Sequence, residues 1–477
     1  MHANFIRGLG TTLVLLAIAA VVTALTGADM LVNSPPVAVK PAGLSALEIA
    51  ESRQLQELMN DINPRYSTEP QETEPPVDPN APDPAGTYLY NNLLENLLNA
   101  LHFYFTVPED TPPVRFVVSW DVNTGERVLT DARLLSLEAN VSHLLVLELY
   151  RSLHTKAIFD RDLEEARRRV EGIFAEDWHT VMEWPLGPYF DLVALWQITG
   201  NEKYLEWADR YGAGDGPGDR NTPLAKAKDL AIRFQNNLPR TANPFMFYHV
   251  ALLAEWGSRN DPALLSPAKS LFQGLREFLY DGRYKMLAKQ ASVSADGRRN
   301  TIMTFDALEQ LSAVRAIVEY WKVSGDPDAI SLTKVLMGGI WGAGSPLLLP
   351  APEPFPPTTF FGLYTAYDKD REAVRLDPDE KTIVQILLLE SSILANEQTR
   401  GEFRGDIDFL SAWLEDNGPV YRRDANGYYT TYGDDWKDPE RPMVSARAVL
   451  WMARALVEDE WYRFRTAQAL TSGRPGT

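Results

Sequence analysis

The sequence predicts an all-α fold: a closed double ring of six helical hairpins, an (α/α)6 toroid, with a few short β-hairpins on one face and an N-terminal transmembrane or signal segment ahead of it. Three observations carry this expectation. Apolar helices recur, each ending in a polar turn from which a second helix starts at once. The first helix of a pair is apolar nearly all round, as in "LVALWQI", "VALLAEW" and "IVQILLLESSILA", whereas the second is charged, as in "RDLEEARRRVEGIF"; the first pattern marks burial on several sides and the second an outer layer. The turns are also spaced more widely and irregularly than common solenoid repeats, whose period is fixed at roughly 33–47 residues. A closed ring is therefore preferred to an open superhelix.

Taken in order, residues 1–30 come first. Arg7 precedes "LGTTLVLLAIAAVVTALTGADMLV", with no charge between Arg7 and Asp29. The run approaches the ~20 residues that span a bilayer and exceeds the ~7–15 of a signal-peptide core. An uncleaved anchor is preferred, with cleavage near "LTGA" as the alternative; both place the rest of the chain outside the cytoplasm. Residues 31–86 are expected to hold a short amphipathic helix over Leu44–Asn63 and then a linker, "PRYSTEPQETEPPVDPNAPDPAG". Seven prolines and several acids stiffen that linker and leave it nothing to bury.

The body, residues 87–477, carries the hairpins. Turns are expected at His154–Thr155, Gly200–Asn201, near Asn260, at Gly325–Asp326, near Gly401 and near Glu458. Glycine closes the first helix, Asn or Asp caps the next, and Pro327 sits just inside a start. Each long loop runs from an outer helix to the next inner one. These loops hold three β-hairpin candidates: Arg115–Asp131 around an Asn-Thr-Gly turn, a hairpin at Asp281-Gly282, and "VYRRDANGYYTTY" turning at Asp424–Gly427.

Composition narrows function. Against 65 acidic residues stand 46 Lys and Arg, a formal charge of −19, which disfavours nucleic acid as a partner. The absence of cysteine excludes disulfides, thiolate nucleophiles and thiolate metal sites. Six histidines occur without a close ligand pair, and there is no glycine-rich phosphate loop. "GAGDGPGD" (Gly212–Asp219) lacks the ligand spacing of an EF-hand. Neither a metal nor a cofactor is expected.

The last unit, "GYYTTYGDDWKDPERPMVSARAVLWMARALV", and the helix-turn-helix "ALWQITGNEKYLEWA" resemble the repeats of the six-hairpin glycosidase-like (α/α)6-barrel superfamily, over roughly residues 87–470. The resemblance implies glycoside hydrolases, polysaccharide lyases and sugar epimerases as relatives, together with members that have no catalysis, and hence a carbohydrate or glycan ligand. Architecture alone does not fix activity.

Glycoside hydrolysis needs two carboxyl groups flanking the scissile bond, so acids beside aromatics at inner-helix starts are the candidates. "EWPLGPYFD" offers Glu183, Trp184, Tyr189 and Asp191; "NTIMTFDALEQ" offers Asp306 and Glu309. "YYTTYGDDWKDPERP" offers Tyr429, Asp434, Asp435, Trp436 and Arg441, and the first loop offers Trp120, Asp121, Asp131 and Glu138. The catalytic candidates are Asp306, Asp191, Asp435 and Asp434. The substrate-binding candidates are Trp184, Tyr189, Tyr248, His249, Tyr429, Trp436 and Arg441. Each also has a structural reading. Asp131 suits an N-cap, Asp191 suits a first-turn carboxylate in a helix dipole, and His249 suits a core histidine. Glu138 and Glu390 read as buried partners of arginines such as Arg315 or Arg447. Adjacent aspartates serve as nucleophile and acid in some six-hairpin mannan-cleaving enzymes. Asp434-Asp435 shares that pair but not its surroundings, and the roles do not transfer. Three functional readings stay open: a hydrolase with paired carboxylates, a membrane-tethered scaffold or glycan-binding protein without catalysis, and a lyase or epimerase using His249, Tyr248 and Arg441.

Overall fold

The computed structural model describes residues 91–102, 117–121, 127–129, 133–154, 157–175, 186–214, 222–350, 360, 362–377, 380–416, 422–424, 427–429 and 443–472. Apart from Pro350 and Phe360 they belong to one compact unit. The expected anchor, the Leu44–Asn63 helix and the proline-rich linker lie outside the described residues. No described helix is long and apolar enough to cross a membrane.

Thirteen α-helices are described: α1 (Asn91–Ala100), α2 (Arg133–Leu153), α3 (Asp160–Ala175), α4 (Gly187–Thr199), α5 (Glu202–Ala213), α6 (Pro223–Gln235), α7 (Phe247–Arg259), α8 (Leu265–Leu279), α9 (Ala307–Ser324), α10 (Pro327–Trp341), α11 (Lys381–Thr399), α12 (Arg404–Asp416) and α13 (Ala446–Ser472). An inner ring runs α2, α4, α7, α9, α11, α13 and back to α2, with α3, α5, α8, α10 and α12 each packed outside the helix before it. The inner helices are the ones read as apolar all round: α11 is buried from Thr382 to Asn396 without a break. Between α4 and α7 the backbones stand further apart than at the other junctions, and side chains fill the gap. Phe190 meets Tyr248 with ring centroids 5.9 Å apart, and Tyr189 donates its hydroxyl to Glu255. Helix α6 is an addition in the α5–α7 loop, capped by the Thr222 hydroxyl and packed on α7 and α8.

The tight turns follow the expected chemistry. Gly200 and Gly325 close α4 and α9 in the left-handed region, at φ 67° and 63°, which glycine enters without a Cβ penalty. Asn201 then caps α5 and Asp326 caps α10, each through a side-chain oxygen. The turn near Glu458 does not exist, since α13 runs unbroken from Ala446 to Ser472. "VEDEW" contains no glycine or proline to end a helix, and its acids, read as a polar turn, are instead partners of packed basic side chains. Glu458 pairs with Arg454 at 2.9 Å, Asp459 with Arg404 at 2.7 Å, and Glu460 with His154 at 3.0 Å. The outer place against α13 is taken by α1, so the sixth hairpin joins elements far apart in sequence.

All thirteen described strands lie in the outer-to-inner connections, hence at one end of the ring. The first expected hairpin is β1 (Val117–Asp121) with β2 (Arg127–Leu129), and β13 (Met443–Ser445) adds to β1 with Trp120 opposite Val444. The hairpin at Asp281 exists as β4 (Tyr280–Asp281) with β5 (Met286–Leu287). Its loop has four residues rather than a two-residue Asp-Gly turn: Asp281 accepts from the backbone of Arg283 and Tyr284, and Lys285 takes φ 57°. β3 (Arg240–Ala242), β6 (Gln290–Val293) and β7 (Arg299–Ile302) form one sheet, and β8 (Thr304–Asp306), β9 (Ala366–Asp368) and β10 (Ala373–Arg375) another. β11 (Arg422–Asp424) pairs with β12 (Gly427–Tyr429), as the third hairpin requires.

Candidate functional site: a cleft over an axial ion network

Five inner helices send a charged or hydroxyl side chain to the ring axis at one level. Asp191 (α4) accepts from Ser142 (α2) at 2.7 Å, from Arg315 (α9) at 2.9 Å, and from both terminal nitrogens of Arg454 (α13) at 2.8 and 2.7 Å. Arg315 also donates to Glu390 (α11) at 3.0 Å, and Arg454 lies 3.4 Å from Glu390. Burial would raise the Asp191 carboxyl, but Arg454 and Arg315 together hold it below its ordinary range. For Glu390 burial outweighs the same two guanidiniums and its pKa is raised. The expectation that Glu390 pairs with Arg315 matches this geometry. Asp191 is 1% exposed, with its acceptor sites taken up by those four bonds. That environment suits a permanent anion that ties helices together; a proton-transfer group needs a pKa near the working pH.

Toward the strand-bearing end several inner-helix side chains keep partial exposure. Most inner-helix residues are buried, yet α9 carries a partly exposed stripe of Leu308, Ser312, Arg315 and Glu319, the i, i+4, i+7, i+11 pattern of one helix face; Glu309 points about 100° away from it, toward Lys289. Glu138 on α2, Phe245 and Tyr248 at the start of α7, and Trp451 on α13 are half-exposed too. Glu138 lies one turn before Ser142 on the same face, about 6 Å nearer the strand-bearing end; Glu309 stands about 9 Å above Arg315 by helix rise. α2 and α9 are opposite members of the ring, so Glu138 and Glu309 stand on opposite helices. The Glu138 carboxylate also approaches the start of α4, with Oε1 3.9 Å from where a Cβ on Gly187 would stand.

Asp306 caps α9, accepting from the Glu309 N–H at 3.3 Å. Lys289 lies 3.7 Å and Arg375 3.5 Å from its Oδ2. Asp306 thus belongs to the rim, at the seam of α9 and α11, as the N-cap of α9. Its charge acts on its neighbours. Burial first, and then Asp306, push Glu309 up to about 7, with Lys289 at 3.8 Å pulling the other way. Glu380 at the start of α11 is raised by burial and by Asp306. One Glu309 carboxylate oxygen is buried with no hydrogen-bond partner.

The aromatic candidates separate. Tyr248 faces the axis, where burial raises its hydroxyl and Arg315, Glu390, Arg454 and Asp191 all act on it. His249, next along α7, is turned toward α6, where burial and Lys226 lower it to about 4. The two do not share a wall, since adjacent helical residues point about 100° apart. Tyr189 is fully buried in the α4–α7 junction, bonded to Glu255 and to Arg259 at 3.1 Å, which removes it from any ligand surface. Tyr429 ends β12 opposite Arg422. Trp184, Asp434, Asp435, Trp436 and Arg441 lie outside the described residues, as do Glu183 and Asp131. Among the described residues no group of three acidic or histidine side chains is arranged to hold a metal ion. Trp451, Ser142 and Arg454 were not singled out by sequence reasoning. A tryptophan inside "AVLWMARALV" reads as core until its exposure is seen.

No family model and no curated protein matches the chain. Solved structures do. An inactive variant of an α-1,6-mannanase from Salegentibacter sp. HEL1_6, in complex with α-1,6-mannotriose, superposes with a TM-score of 0.50 at 13% identity, covering 78% of this chain and 99% of its own. An unsaturated glucuronyl hydrolase specific for heparin gives 0.51 at 12%, covering 80% and 97%. At such identities the likeness speaks for the fold, and the six-hairpin (α/α)6 architecture read from the sequence is the one found.

Proposed function

We propose that this chain, with its six-hairpin (α/α)6 fold, is a glycoside hydrolase whose carboxyl pair is Glu309 and Glu138. The observation that carries the reading is Glu309: a largely buried rim acid raised to about 7, on the inner helix opposite the one that carries Glu138. A carboxyl group still protonated near neutrality can deliver its proton to a leaving glycosidic oxygen, and its partner serves as base or nucleophile. Asp306 is then a positioning residue, holding Glu309 protonated through its own charge. Tyr248 and Trp451 offer the aromatic surfaces that the apolar face of a sugar ring requires. The axial network forms a rigid, water-poor floor. The similar folds of a mannanase and a glucuronyl hydrolase support a glycan substrate. The test is hydrolysis of α-1,6-mannan oligosaccharides and of unsaturated glucuronyl disaccharides by the native chain, Glu309→Gln and Glu138→Gln. Turnover is expected to drop by 10²-fold or more in each variant with binding kept, in line with the loss of general acid–base catalysis. Glycan binding without turnover in the native chain would favour the non-catalytic reading, and unchanged turnover in both variants would remove this pair.

The apolar run between Arg7 and Asp29 supports a second part of the proposal, a membrane tether that holds the barrel outside the cytoplasm on a proline-stiffened spacer. Fractionation of cells expressing the full sequence, with protease applied from outside, tests it; a chain recovered in the cytosol would overturn it.

A further inference from the structure

The outer flank of the α4–α7 junction holds a groove of 550 Å³ that the hydrolytic reading does not use. It runs along α5 from Glu202 to Gly214, with Trp256 of α7 as its opposite wall. That is about 18 Å of helix, and the volume falls within the ~300–1,000 Å³ of small-molecule sites. The groove's chemistry is uneven. Glu202, Glu206 and Asp209 recur at i, i+4 and i+7, one face of α5. Its two cations are turned to α3, Lys203 onto Glu171 and Arg210 onto the Phe174 carbonyl. Asp209 is taken up by Arg259 and one Glu202 oxygen by the Trp196 indole N–H, so what remains facing the groove is the Glu206 carboxylate, the other Glu202 oxygen, the aliphatic Leu205 and Ala213, and a half-exposed indole.

The indole is pre-set. The Arg259 guanidinium lies 5.8 Å from the Trp256 ring centre and is itself fixed by Asp209 at 2.8 Å, by Glu255 and by Tyr189. A rigid aromatic wall costs little ordering entropy on binding. Hydroxyl-rich ligands donate to carboxylates and lay their C–H faces on indole, so acceptors along one side and an aromatic on the other fit a polyol chain lying lengthwise.

We infer that this groove is a second binding site, for a neutral oligosaccharide, on the outside of the barrel and apart from the cleft. It needs no turnover, so it goes beyond the hydrolytic reading. The test is calorimetric titration of the full chain with three neutral probes: α-1,6-mannotetraose, cellotetraose and maltotetraose. At least one is expected to bind at two sites per chain in native protein and in Glu309→Gln. Trp256→Ala is expected to leave one site, with at least a tenfold loss at the other. Glu206→Ala changes an exposed residue that pairs with no described neighbour, so it leaves the fold intact, and it is expected to weaken the same site severalfold. If the cleft binds nothing, the groove still yields one Trp256-dependent site, which separates the failure of one reading from failure of the other. The inference is overturned if no neutral tetraose shows a Trp256- and Glu206-dependent site, or if only the cationic glucosamine tetramer binds there.

Discussion

Replacing Asp191 with Asn keeps the shape at the centre of the ring and removes one charge. In the native chain the carboxylate accepts four hydrogen bonds, three of them from guanidinium nitrogens. An amide accepts at one oxygen only and turns an NH2 donor toward Arg454 or Arg315. With the amide oxygen in the Oδ1 place the Arg315 bond and one Arg454 bond are kept but weakened by the loss of the acceptor's charge; the other Arg454 bond, worth about 1.5–3 kcal/mol, is lost and a buried guanidinium is left facing a donor. Glu390 at 3.0 Å from Arg315 and 3.4 Å from Arg454 takes up part of the imbalance, so the expected loss is about 3–5 kcal/mol, as for other broken buried pairs. Urea unfolding followed by far-UV circular dichroism reads this as a lower midpoint at unchanged slope. D191N combined with R454M is expected to lose at least ~1 kcal/mol less than the sum of the single losses, because the stranded charge is gone. If D191N stays within ~1 kcal/mol of the native chain, or abolishes turnover at an unshifted midpoint, the structural assignment of Asp191 is refuted.

Other expectations are simpler to state. If Glu309 is the acid, kcat/KM falls above about pH 7 as its proton is lost, and E309Q removes that limb from the residual activity. The stability sign follows from the same shift. The folded state keeps a proton that the unfolded chain (near pKa ~4.3) has released, so stability falls as pH rises from ~4.3 to about 7 and is flat above; E309Q is expected to flatten this slope in pH-dependent melts. Gly339→Ala drives a methyl into the Lys285 carbonyl, with the Tyr284 carbonyl 2.8 Å away; about 1–3 kcal/mol should be lost, as for overpacked sites, visible as a lower melting temperature. Asp326→Ala removes the α10 cap and a 3.0 Å acceptor for the Tyr320 hydroxyl, at an expected cost of about 1–2 kcal/mol in urea.

What could be read from sequence was local. Gly200-Asn201 and Gly325-Asp326 announce helix ends by turn chemistry, and "LVALWQI" announces burial by its lack of a polar face. The Glu458 turn was misread because acids look like solvent until their partners are known, and Arg404 and His154 come from distant parts of the chain. Asp191 shows the same limit in the site. Its partners lie 124 and 263 positions away, and nothing within its own turn separates a catalytic carboxylate from an axial one. Glu309 was visible as an acid near a helix start, but its raised pKa comes from burial and from Asp306, a property of packing. Tyr248 and His249, adjacent in sequence, diverge only once helix rotation is fixed.

The sixth hairpin bears on how the chain is made. Its outer helix, α1, lies more than 300 residues before its inner helix, α13, and β1 waits equally long for β13. A ribosome delivering residues in order releases an arc of five hairpins whose first and last faces are bare. Asp191 then meets Arg315 but not Arg454, which arrives near the end of synthesis. Contacts of such separation are slow to form, and intermediates with exposed apolar faces are prone to aggregate. The last step of folding is therefore the closing of a seam, and the chain is most vulnerable just before it.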